Sequence, residues 1–215
     1  MNNPLLYIDP TGETVECTTE ESCQNAADDI NKTHEGAGVE VEEKQRTVTT
    51  GMLWWKKETT ETYYELTTGN EDFDWSQGGT DEFGAAVYEV LASQDVVMNV
   101  VYTTGNIPHS RHEANQSPIS GPGGYGGGFF DRGDFAPASD GGTVYVDPRG
   151  QNGEPSAVIL MHEMLGHGHS VGGVLSPNPS QNALRVNNHY LRKLGLSKRR
   201  GGGHGGFGGS PRFNK

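Results

Sequence analysis

The chain has 215 residues, a length suited to one globular domain, and only 32% of them are hydrophobic, so part of it is expected to be irregular. A net charge of −12 argues against general nucleic-acid affinity. With no apolar run near about 18 residues and no basic-then-apolar leader, neither a spanning helix nor a conventional signal peptide is expected. The charge is lopsided: no Asp or Glu follows Glu163, while Arg185, Arg192, Lys193, Lys198, Arg199, Arg200, Arg212 and Lys215 do.

At the start of the chain, Pro4, Asp9, Pro10 and Gly12 stand in the run Asn-Asn-Pro-Leu-Leu-Tyr-Ile-Asp-Pro-Thr-Gly-Glu. Physically, Asp-Pro-x-Gly is a turn that stops a strand. In residue type and spacing the run also resembles the end of an Rhs-repeat core, which closes with Pro-x-x-x-x-Asp-Pro-x-Gly. The resemblance covers about a dozen residues. It implies that residues 1–13 are the core end and cleavage junction, and that the C-terminal toxin of a polymorphic toxin follows. It further implies delivery by a secretion system into a target-cell cytoplasm during interbacterial competition. The implied partners are the Rhs core shell of the parent chain and a cognate immunity protein.

Residues 14–44 are acidic and polar, and are expected to form a linker with at most one short helix. Within them, Cys17 and Cys23 are either a disulfide, if the chain meets an oxidising compartment, or two free thiols. A toxin domain is expected over 45–200. Its Thr-, Tyr- and Trp-rich stretches at 45–50, 52–55 and 60–67 alternate as strands of a small antiparallel sheet, with Trp54 and Trp55 on opposite faces. Phe83, Ala86, Val87, Val90 and Leu91 predict an amphipathic helix over 81–93, and a strand follows at 96–102. The glycine-rich stretch 118–134 lacks the terminal Lys of a phosphate loop and reads as a flexible loop near a site. A strand at 142–148, stopped by Pro148, is expected beside the cleft, followed by a buried helix from Pro155 and a closing helix over 181–195. Residues 201–215 are a basic glycine-rich tail, expected to be disordered. The fold class is α+β: a small antiparallel or mixed sheet, a buried active-site helix and a closing C-terminal helix.

The chemistry centres on Met161-His162-Glu163-Met164-Leu165-Gly166-His167-Gly168-His169. It is nearly the zinc-peptidase motif His-Glu-x-x-His, in which imidazoles at i and i+4 share a helix face and the intervening Glu activates water. Here Gly166 occupies i+4 and the next imidazole, His167, falls at i+5. On an ideal α-helix that rotates the second ring about 140° from the first. Two distortions could reunite them: a π-type turn, or helix termination at Gly166 that swings His167 back.

A catalytic Zn²⁺ needs three protein ligands, and the acid-free tail cannot supply a later Glu. The expected set is His162, His167 and His189, with His169 as the alternative to His189; His204, in the tail, reads as solvent-facing. Glu163 is the expected general base. Tyr190 or Arg192 is the candidate for stabilising an oxyanion. The stretch 183–196 resembles the closing helix of NleD-like metallopeptidase toxins, in which a strand ending in Asn/Asp-Pro precedes the His-Glu helix and an Ala-x-x-x-Glu-Asn-x-x-Arg helix runs into Gly-Leu-Pro. Here Asn187 replaces the Glu, Arg192 falls one place late and Ser197 replaces the Pro. The resemblance implies a zinc-dependent protease that cleaves a protein in the target cell. The rival readings are a metal-independent hydrolase toxin and a degenerate, non-catalytic zinc-binding domain.

Overall fold

The computed structural model describes residues 15–51, 55–92, 98–109, 112–121, 125–131, 142–151, 153–168 and 179–197. The Rhs-like junction residues Pro4, Asp9, Pro10 and Gly12, together with His169, His204 and the tail, lie outside them. The fold is α+β, as its pattern of elements predicts.

Strand β1 (Val15–Cys17) and helix α1 (Glu20–Thr33) occupy the stretch expected to be a linker. The helix is specified locally. Thr19 caps it by accepting a hydrogen bond from the Ser22 amide at 3.2 Å, and Glu20 and Glu21 favour the positive end of its dipole. Cys23, Ala26, Ala27 and Ile30, at i, i+3, i+4 and i+7, are buried in the core. These small apolar residues are hidden among acids in the sequence, yet they let α1 pack closely on the sheet. Cys17 and Cys23 form a disulfide between the end of β1 and the first turn of α1. Closing so short a loop contributes about 2 kcal/mol in the chain-entropy account.

Strands β2 (Val39–Thr50) and β3 (Lys57–Thr68) form an antiparallel hairpin. The strand expected at 52–55 falls between them: Trp55 lies outside any strand, and residues 52–54 lie outside the described residues. Gly51, at φ +119°, opens this connection where a Cβ would fall on the Trp55 carbonyl. After helix α2 (Gly84–Ala92) come β4 (Met98–Tyr102), the separate hairpin β5 (Asn106–His109) and β6 (His112–Pro118), then β7 (Gly128–Asp131) and β8 (Gly142–Val146). The main sheet has the order β2-β3-β1-β4-β8-β7, with β1, β4 and β8 parallel and the other pairings antiparallel. Alternating residues of its central strands and of the base of the hairpin, including Val15, Cys17, Leu66, Met98, Val100, Val144 and Val146, enter one core shared with the helices. The elements closing that core are α3 (Ser156–Met161), a π-helical turn (His162–Gly168) and α4 (Pro179–Lys193).

Helix α4 is held in place by a buried carboxylate. Asp81, just ahead of α2, lies 3.2 Å from His34 Nε2 at the end of α1 and 2.9 Å from His189 Nε2 on α4; it also pairs with Lys193 and accepts from the Phe83 amide. Burial alone would raise the Asp81 carboxyl, but His189, His34 and Lys193 outweigh it and hold the group far below the usual carboxylate range. Burial pushes His34 the other way, below its ordinary value, against the opposing pull of Asp81. The folded chain therefore prefers neutral His34. That preference contributes fully above about pH 6.5, the unfolded value, and is lost as pH falls through the lower folded value. Denaturant midpoints are expected to fall as the pH is lowered below about 6.5 and to fall less in His34→Gln. Asp81→Asn, which strands Lys193 and two imidazoles, is expected to cost about 3 kcal/mol at neutral pH in the same measurement.

Candidate metal centre

Helix α3 starts where Pro155 sets an extended N-cap at φ −65°, and all six of its residues are buried. From His162 onward the backbone widens into a π-helix that runs to Gly168. Of the two distortions the late histidine requires, this is the first: an i→i+5 turn brings residue 167 back over residue 162. The rings of His162 and His167 lie 5.1 Å apart, centroid to centroid, inclined at 66°. His162, Glu163 and His167 each offer a ligand atom within 4.8 Å of the other two, and His162 Nε2 is 3.9 Å from Glu163 Oε1. His162 and Glu163 are buried and His167 is half-buried.

This donor set fits Zn²⁺. Two imidazole nitrogens at about 2.0 to 2.1 Å from one tetrahedral ion stand roughly 3 to 4 Å apart, within the spacing observed. A carboxylate beside them, largely removed from solvent, matches the partly dry pocket in which such a group serves as a base.

Gly166 has a different role from helix termination. Its backbone is not left-handed; instead, a Cβ there would lie 2.7 Å from Ala183 Cα and 2.9 Å from Ala183 Cβ on α4. The residue that displaces the second histidine is thus the one that lets the closing helix pack against the π-turn. Gly168 is similarly crowded: a Cβ there would meet Met98 Cε at 2.8 Å and the Phe130 ring at 3.1 Å.

The glycine-rich stretch also acts through close approach. Gly126 and Gly127 adopt left-handed φ of +79° and +92°, turning the chain into β7. A Cβ on Gly128 would meet Ile159 Cγ2 at 2.4 Å and both Cγ and Oε1 of Glu163 at 2.9 Å. The backbone of β7 therefore forms the wall against which the Glu163 carboxylate rests. Strand β8, expected beside the cleft, is an interior strand paired with both β4 and β7; the sheet edge nearest the site is β7.

His189 does not join the group. Its Nε2 is 2.9 Å from Asp81 Oδ1, its Nδ1 is 3.8 Å from Glu82 Oε1, and its ring lies edge-on to Phe83 at 5.1 Å. Together with Lys193, one turn on, it gives α4 a face dedicated to Asp81, an acid about half the chain away in sequence. The expectation of His189 as a ligand is corrected accordingly. Tyr190 is fully buried among His34, Phe83 and His189, and burial raises its phenol well above the ordinary value, so it is not placed to stabilise an oxyanion. Arg192 is exposed on α4. Asn187 is buried and donates to Glu154 Oε1 at 3.1 Å, joining α4 to the loop ahead of α3. Asn187 thus pairs with an acid that precedes the His-Glu stretch in sequence. Asp81, Gly128 and Glu154 were missed as supporting residues because nothing local in sequence links them to the histidines.

Compared with protein-family models, curated proteins and solved structures, the chain matches none.

Gly166→Ala is expected to lower stability by about 1 to 3 kcal/mol by driving a methyl group into Ala183, measured by chemical denaturation. Gly128→Ala, whose methyl must displace the Glu163 side chain, is expected to show a similar loss.

Proposed function

We propose that the chain is a zinc-dependent endopeptidase, carried as the C-terminal toxin of an Rhs-type parent and delivered into a target cell to cleave a protein there. The observation that carries this reading is the meeting of His162, Glu163 and His167 on a π-turn that exists at that residue spacing. Zn²⁺, when bound, supplies Lewis acidity for a polarised carbonyl and a nucleophile at neutral pH. His162 and His167 hold the ion. With His189 engaged by Asp81, the third donor we assign is His169, one residue beyond the π-turn in sequence.

Glu163 takes a proton from the attacking water onto its carboxylate and passes it to the departing amine. Its position is fixed from behind by the Gly128 backbone, so it has little freedom to turn away. Strand β7 supplies main-chain groups along the sheet edge beside the site, where an extended peptide can be aligned by β-pairing. The Rhs assignment rests on the spacing of Pro4, Asp9, Pro10 and Gly12, and with it come the parent shell, the immunity protein and the delivery route.

Purified protein is expected to carry about one zinc per chain by elemental analysis. His162→Ala is expected to lose it, whereas Glu163→Gln keeps the zinc and loses about 10²- to 10⁴-fold of the proteolysis, read as new protein N-termini after expression in a bacterial cytoplasm. A folded, zinc-free protein whose toxicity survives chelation would overturn the assignment. Zinc binding without any new N-termini would reduce it to a non-catalytic domain.

A further inference from the structure

The β2–β3 hairpin is longer than the sheet that anchors it. β3 pairs with β1 only at Tyr64 and Glu65, and Arg46 marks the last tie to the body, with Nη1 at 2.7 Å from Glu16 Oε2 and Nε at 3.4 Å from Glu61 Oε2. Beyond Arg46, the four pairs from Thr47↔Thr60 to Thr50↔Lys57 extend past β1, which at about 3.4 Å per residue makes a two-stranded ribbon projecting roughly 14 Å. Its β-branched Thr47, Thr49, Thr50, Thr59 and Thr60 favour extended backbone without giving the ribbon a broad apolar face.

At the end of this polar ribbon stands Trp55, 79% exposed, followed by the exposed Lys56 and Lys57. Lys56 and Lys57 outnumber the one acid of the projecting ribbon, Glu58, which pairs with Thr49 one step back from the end, in a chain whose net charge is −12. By sequence alone, the residues joining Gly51 to Trp55 are Met52, Leu53 and Trp54, where a hairpin connection ordinarily carries Gly, Asn or Asp. They lie outside the described residues, and the contact surface is built from Trp55, Lys56 and Lys57. A projecting ribbon that ends in an exposed indole suits a surface that yields to it. Indole beside ammonium is the pairing that settles at a lipid headgroup boundary, the ring among the upper acyl chains and the charges against anionic headgroups. Because the acidic body is repelled by the same headgroups, a negatively charged surface also selects tip-first approach.

We infer that the β2–β3 ribbon is a membrane-contact arm, which seats Trp55 at the interface of an anionic bilayer while Lys56 and Lys57 meet its headgroups. The contact is peripheral: among the described residues no helix is long and apolar enough to cross a membrane.

The test is co-sedimentation of the full chain with phosphatidylcholine vesicles, with and without phosphatidylglycerol. Binding is expected only with phosphatidylglycerol, and is expected to weaken at high salt. Trp55→Ser should weaken it about tenfold. The double variant Lys56→Gln, Lys57→Gln, which leaves Trp55 in place, should weaken it roughly thirtyfold. Circular dichroism of each variant separates loss of binding from loss of fold, and the lysine variant keeps the test decisive if Trp55→Ser misfolds. No association of the wild-type chain with phosphatidylglycerol vesicles would overturn the inference and leave the tip to a protein partner. Equal binding by wild type and both folded variants would overturn it as well.

Discussion

A buried helix that carries its second imidazole one residue late must take in an extra residue within a single turn, and the site depends on that turn being held. Widening to a π-turn gives up regular i→i+4 bonding, so it persists only where surrounding packing leaves no better arrangement. Here α4 presses on the turn through the contact of Ala183 with Gly166, and α4 is fixed from its far side by Asp81 through His189 and Lys193. Stability therefore runs from a buried carboxylate, through the closing helix, to two histidines that the carboxylate never touches. The arrangement hinges on the acid: its three cationic or protonatable partners share one carboxylate, and removing it leaves all of them without their common counter-charge.

The opposite wall is built from absent side chains. Gly126, Gly127 and Gly128 let β7 approach α3 and the π-turn until its backbone touches Ile159 and Glu163. A loop rich in glycine thus fixes a carboxylate in position, through backbone that no other residue could bring so near. The sheet beneath reaches the helices through alternating apolar residues, so the histidine-bearing turn rests on Met98 of β4 and Phe130 of β7, the two strands that flank β8.

Much of this is legible in sequence where the signal is local and periodic. The helix at 81–93, the strands at 96–102 and 142–148, the buried helix after Pro155 and the closing helix all have their counterparts in α2, β4, β8, α3 and α4. The i+5 spacing of His162 and His167 requires a distortion, and Gly166 narrows where it falls. What sequence could not supply is pairing at a distance. Asp81 stands about half the chain from His189, and the two are brought together by the packing of α2 and α4, so a lone helical histidine resembled a ligand. Helix α1 was obscured for another reason: its buried stripe is made of Cys and Ala in an acidic run, and average polarity hides it, although the Thr19 cap and the i, i+3, i+4, i+7 spacing are both there. The Gly-rich stretch looked like flexibility because sequence gives no sign of what a glycine faces.

Strand β1 pairs only with segments far along the chain, which governs how the molecule comes into being. Among the described residues β1 covers Val15–Cys17 and lies inside the sheet, where Glu16 meets Glu65 and Val15 meets Met98. Its parallel neighbour β4 must then find β8, and the helices close only when residues beyond 179 arrive. Such non-local pairing defers the reward for ordering the chain until most of it is present, which slows assembly relative to a fold built from neighbours in sequence. A chain still emerging from a ribosome, or threaded part-way through a pore, contains His162 and His167 without the tertiary contacts that stack them.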